Sequence, residues 1–169
     1  MENQANFINK IIKILVRNKA IEQDFALTLP QLFKESPQDL FEGFLLEQSY
    51  VEKRALLKAL AEYFQVPSFD VTGYFFNKHL LVKFPKGFLL RNKVVPLEID
   101  QNMLMVVAAD PTIAGLESSL CSYVSYDINF MVGLSSDICD AVKEFYDSSL
   151  VEVEAKDQQA RLASIVPDE

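Results

Sequence analysis

The chain carries one imidazole, His79, in the run NKHLLV. A histidine works as a general base when a nucleophile or a fixing carboxylate stands beside it. Its neighbours here are Lys78, Leu80 and Leu81, so His79 reads as a surface or packing residue. Carboxylates could pair for acid–base work, and Asp100, Asp110 and Asp127 are the candidates. Each falls at the end of an expected strand, where turn and capping duties account for it. The five glycines, at 43, 73, 87, 115 and 133, are scattered, and none sits in a GxxxxGK phosphate loop. Cys121 and Cys139 have no His or Cys partner at metal-ligand spacing. They are too few for a disulfide framework and read as small buried apolar groups in a reducing compartment. These residue types point to a chain that is not an enzyme and holds no metal and no cofactor.

The framework that positions them centres on KVVPLEIDQNMLMVVAADP, residues 93 to 111. Val95, Leu97 and Ile99 alternate with Pro96 and Glu98, which is the period of a strand with one apolar face. Asp100-Gln101-Asn102 is turn chemistry. Met103 to Ala109 is apolar throughout, as in a strand covered on both faces. Asp110 followed by Pro111 predicts a helix start, with Ile113, Leu116 and Leu120 facing inward. Ile128, Phe130 and Val132 alternate in a third strand. Ser135 or Ser136 is expected to cap a last helix carrying Ile138, Ala141, Val142 and Phe145 inward.

Upstream the period changes to helical. Ile8, Ile11, Ile12 and Leu15 form the stripe of a first helix. Phe25, Leu29, Leu32 and Phe33 suggest a second, which Pro30 keeps short or broken. Ser36-Pro37-Gln38-Asp39 predicts a third start, with Ser36 capping and Pro37 at the first position. A fourth helix runs from Glu52 to about Phe64. Ser68 to Val71 is a short edge strand, and 77–82 and 86–92 are short helices. The expected fold is α+β: helical hairpins, then a small, mostly antiparallel three-stranded sheet packed with helices. Residues 1–66 form a helical subdomain and 67–149 an α/β subdomain. Residues 150–169 are polar and lack periodicity, as in a flexible tail or linker.

Composition narrows the partners. The net charge is −8 and half of the residues are hydrophobic. An acidic chain with a good core is not built to neutralise nucleic-acid phosphates. No apolar run reaches the roughly 20 residues of a membrane helix, and MENQANF lacks the basic start of a secretory signal. The expected place is the cytoplasm, without direct membrane insertion. The helical part also echoes itself: Ile14-Leu15 and Ile21-Glu22 recur as Phe44-Leu45 and Val51-Glu52. Phe7, Ile14, Phe41 and Phe44 offer more apolar area than two hairpins need for closing on each other, so they are the expected partner-binding face.

Four stretches resemble the N-terminal domain of type II secretion and type IV pilus assembly ATPases. They are LLEQSYVEKRALLKALAEYFQVPSFDV, FFNKHLLVKFPKGFLLRNKVVPLEID, MLMVVAADPTIAGLESSL and the closing helix from Ser136 to Tyr146. The resemblance implies a non-catalytic module that docks on the cytoplasmic domain of an inner-membrane assembly protein and is peripheral to that membrane. It also raises an alternative, a cyclic di-GMP sensor. In a subset of the family, tandem hairpins bind that ligand through two copies of RLGxxLLxxxGxIxxxxLxxxLxxQ. The candidate nucleotide positions it implies are Lys10 and Ile14 in the first copy and Leu45, Val51 and Leu56 in the second. The copies are degenerate. Lys10 and Leu40 replace the arginines, Ile12, Lys19, Glu42 and Ser49 replace the glycines, and Tyr63 replaces the closing glutamine.

Overall fold

The computed structural model describes residues 2–147. α1 (Glu2–Arg17) buries Ile8, Ile11, Ile12 and Leu15 along one stripe. It ends at Lys19, whose φ of 61° is left-handed. The chain turns into α2 (Gln23–Ala26) and α3 (Leu29–Glu35), with Pro30 in the first turn of α3. Pro30 therefore opens a new helix, since its missing N–H costs nothing there. α4 (Phe41–Glu47) and α5 (Lys53–Phe64) repeat the arrangement.

The echo in the sequence is an echo in the backbone. The amides of Asn18, Lys19 and Ala20 donate to the carbonyls of Ile14, Val16 and Leu15. Thirty positions on (19 to 49), those of Gln48, Ser49 and Tyr50 donate to Phe44, Leu46 and Leu45. Ser49 is left-handed too, at φ 56°. Glu22 and Glu52 then precede the next helices in the same extended conformation.

After α5 come α6 (Lys78–Leu81), capped by the Asn77 side chain, and α7 (Lys86–Asn92), closed by left-handed Lys93. β1 (Val94–Asp100), β2 (Met103–Ala108) and β3 (Asp127–Val132) form one sheet in the order β1-β2-β3. β1 and β2 are an antiparallel hairpin, with a register shift between Pro96 and Glu98. Pro96 lacks an amide for the ladder, which an edge strand with a bulge tolerates. β3 lies parallel to β2, because α8 (Leu116–Cys121) carries the chain back across the sheet. The sheet is thus mixed. The last helix, α9, spans 135–147. The Tyr146 hydroxyl donates to the carbonyls of Leu81, at 3.0 Å, and Phe84, fastening α9 to the α6–α7 segment.

Buried side chains fall into two groups, one among α1–α5 and one around the sheet. Val132 and Leu134, at the exit of β3, belong to the helical group and join the two. Gly133 sits at that junction. A Cβ there would stand 2.6 Å from Val107 Cγ1 and 3.1 Å from the Phe69 carbonyl.

Several local expectations are corrected. Asp110 and Pro111 do not start a helix: the Asp110 carboxylate accepts from the Thr112 amide at 2.9 Å and from its hydroxyl, making a turn. α8 begins only at Leu116, after left-handed Gly115, and Ile113 stays 43% exposed while Leu116 and Leu120 are buried. Ser36 does not cap a helix either. Its hydroxyl accepts from the Gln38 amide at 3.1 Å, a local turn, and α4 starts at Phe41 without a side-chain cap. Ser68 to Val71 makes a single parallel bridge, Ser68 to Val132, rather than a strand. Asp70 ends it by accepting from the Thr72 amide at 3.0 Å. Cys121 is exposed rather than buried, Cys139 is partly buried, and both are free thiols. The expected tail, 150–169, lies outside the described residues.

Candidate functional site

A cleft of about 470 Å³ opens where the helical part meets the sheet part. The start of α1 supplies Gln4 and Phe7, the entry to α4 supplies Leu40, Phe41 and Glu42, and α5 supplies Phe64. The opposite wall is Arg91, Asn92 and Lys93 from the end of α7, Ala109 and Asp110 after β2, Ile113, and Ser135 at the start of α9. Local folding places each. Phe7 is fixed edge-on against Tyr63, with ring centroids 4.9 Å apart, and tilted over Phe64 at 6.2 Å. The amide of Ala109 donates to the Lys93 carbonyl at 3.0 Å, tying the exit of β2 to the entry of β1.

Glu42 is the unusual group. It follows Phe41 in the first turn of α4 and sits one turn before Leu45, so the helix carries its carboxyl into an apolar surrounding. Burial pushes its pKa from 4.5 up to about 7. The Ser135 amide and the charge of Lys93 pull the other way, and Asp137 adds to the rise. Near neutrality such a carboxyl can either accept or donate a hydrogen bond. Arg91 and Lys93 make the far wall cationic, while Phe7, Leu40, Phe41 and Phe64 make the near wall apolar. The arrangement suits binding. Among the described residues, no group of three His, Cys, Asp or Glu side chains could hold a metal ion.

The residues singled out from sequence are dispersed. Leu45, Val51 and Leu56 are 0%, 5% and 1% exposed and lie inside the helical core. Ile14 packs partly buried against that core, and Lys10 is exposed on α1. The apolar matches to the nucleotide motif are therefore packing positions. Phe41 and Phe44 are interior, joined to Phe33 and Tyr50 in one aromatic cluster. Of the four expected partner residues, Phe7 and Phe41 reach the cleft. Sequence reasoning recognised Glu42 only as a motif departure and missed Lys93 and Ser135. The available signal was a lone acid between Phe41 and Phe44 on a core-facing helix. Counted back from Leu45, Ser49 and Val51, the motif's arginine falls at Asp39 and its first glycine at Phe41, rather than at Leu40 and Glu42, and Phe41 lines the cleft beside both of these. Tyr63, in place of its glutamine, packs on Phe7.

The sequence profile of the MshEN domain matches residues 64–152, just over half of the chain. Among curated proteins, none matches. The fold is similar to that in the structure of MshE with cdg, at 14% identity and a TM-score of 0.61, covering 80% of this chain and 98% of that one. It is also similar to the N-terminal domain of XpsE, at 18% identity and a TM-score of 0.54, covering 80% and 92% of the two chains.

Proposed function

For a chain that belongs to the MshEN domain family, the N-terminal domain of type II secretion and type IV pilus assembly ATPases, we propose a non-catalytic docking role toward the cytoplasmic domain of an inner-membrane assembly protein. One observation carries this reading. The two copies of the tandem elbow repeat bond for bond in the backbone, including the left-handed residue of each copy. Side chains that a ligand would meet have been replaced: Phe41 stands in the cleft where the motif has its first glycine, and Asp39 takes the place of its arginine. A scaffold kept without its ligand contacts supports protein binding rather than nucleotide binding. No helix among the described residues is long and apolar enough to cross a membrane, so contact with the inner membrane would run through the partner.

The second reading is a cyclic di-GMP sensor. It draws on the cleft itself, whose Arg91 and Lys93 could meet phosphate, and on the fold shared with MshE. Against it, a phosphate in this cleft lies near Glu42, whose charged form opposes an anion. Calorimetric titration of the chain with cyclic di-GMP separates the two. Docking predicts no saturable heat below 100-fold ligand excess, together with saturable binding to the purified cytoplasmic domain of the partner. Sub-micromolar nucleotide affinity would replace the docking reading with the sensor.

A further inference from the structure

A second groove runs along α9 and shares no lining residue with the cleft. Its volume is about 490 Å³. One side is the loop between Val71 and Lys78. Tyr74 stands edge-on to Phe69 at 5.4 Å and to Phe76 at 5.0 Å, which fixes the loop. Phe75, between the two anchored rings, is turned out and 97% exposed, the most exposed large apolar side chain among the described residues. With Val71, Phe76, Ala141 and Phe145 it lines one apolar surface, and contiguous exposed apolar surfaces mark contacts. The floor is Val71, Ala141 and Phe145.

The other side is acidic. Asp137, Asp140 and Glu144 line it from α9, with a seven-residue span that corresponds to about 10 Å, or two turns. The bases that approach it are Lys53 and Lys78. Lys53 already bridges Asp137 at 2.9 Å and Asp70 at 3.9 Å, and Lys78 stands at the groove. Among the described residues lining the groove, the acids Asp137, Asp140 and Glu144 outnumber the one base, Lys78, beside an apolar floor with an aromatic rim.

We propose that this groove takes a Lys/Arg-rich amphipathic segment of the partner, with an apolar side chain against Phe75 and Phe145 and cations opposite Asp140 and Glu144. The assignment rests on the docking reading for the kind of protein involved: membrane proteins carry their Lys/Arg excess in cytoplasmic segments next to the bilayer. Charge decides against the competing occupants. Residues 150–169 carry five acids and two bases, and a second copy brings a net charge of −8.

The test titrates the full ¹⁵N-labelled chain with a 14-residue leucine–lysine amphipathic helix and with its leucine–glutamate counterpart. Expected are saturable binding of the lysine peptide alone, amide shifts confined to residues 71–78 and 137–145, and loss of affinity by tenfold or more in Phe75→Ser/Asp140→Lys. Shifts elsewhere, equal affinity in the variant, or no binding would overturn the groove. Tighter peptide binding after Leu150→Ser/Val151→Ser would show that the chain's own tail is the occupant, and a dimer dissolved by Phe75→Ser would show a second copy; either overturns the assignment. The partner's cytoplasmic domain is measured separately. If it binds wild type and variant alike, docking stands and the groove falls. If it does not bind wild type, docking falls while the peptide titration still judges the groove.

Discussion

Replacing Glu42 by glutamine should stabilise the protein above neutral pH and do little below pH 5. The folded carboxyl titrates at about 7 instead of 4.5 because burial disfavours its charged form. Between those values the folded state binds more protons than the unfolded state, so stability falls as pH rises through that window and the loss is complete above about pH 7. At about 1.4 kcal/mol per decade the full effect is about 3 kcal/mol. Solvent reaching a partly buried group lowers this to about 2 kcal/mol. Glutamine keeps the shape and an acceptor for the Ser135 amide without the charge. Glu42→Gln should therefore melt about 4–8 °C above wild type at pH 8, at about 2–4 °C per kcal/mol for a chain of this size. At pH 5 the two should coincide within about 1 °C. Urea melts at both pH values give the same comparison as free energies, and taking the difference between variants cancels the other titrating groups. A Glu42→Gln variant less stable than wild type at pH 8 would refute the reasoning. It would mean that Lys93 and the Ser135 amide at the start of α9 outweigh desolvation and that the charged carboxylate holds the two parts together.

Other substitutions test the frame around the cleft. Gly133→Ala should cost about 1–3 kcal/mol in urea unfolding, since the added Cβ meets Val107 at 2.6 Å with the Phe69 carbonyl behind it. Ser49→Gly and Lys19→Gly should each stabilise by about 0.5–1 kcal/mol by relieving a left-handed side-chain residue, with additive midpoint shifts in the double variant. Phe44→Glu should abolish cooperative unfolding by circular dichroism, because it puts a charge at a position 2% exposed; a folded Phe44→Glu that had lost only partner binding would return Phe44 to the docking surface.

The elements that sequence revealed are those whose pattern is local. Val95 to Ile99 and Ile128 to Val132 alternate, and α1 repeats its apolar stripe, so strands and helices could be placed by period alone. The stops at Lys19 and Ser49 could be placed only as a repeat, because neither residue type advertises a left-handed conformation. The failures at Ser36 and Asp110 have one cause. Both are residues whose side chains accept from a backbone amide two positions on, and that bond serves a turn as well as a helix cap. The path of the next residues in three dimensions decides between the two, and the local pattern favours the helix each time.

The site was less legible than the fold because it is assembled across long separations. Glu42, Lys93 and Ser135 come from three distant stretches and meet only when α4, the start of β1 and the start of α9 converge. The motif positions hid this further. Matching residues such as Leu45 and Leu56 look functional in a comparison of letters, yet at 0% and 1% exposure they belong to the interior. The mismatched Phe41, at the motif's first glycine, lines the cleft instead. It is a position where the chain departs from the ligand motif of part of the family. A packed hairpin constrains its interior whatever it binds, whereas cleft positions are free to change once the ligand is no longer needed. The repeated elbows together with the altered cleft are what the proposed docking role predicts, a packed scaffold whose cleft carries other side chains than the nucleotide motif.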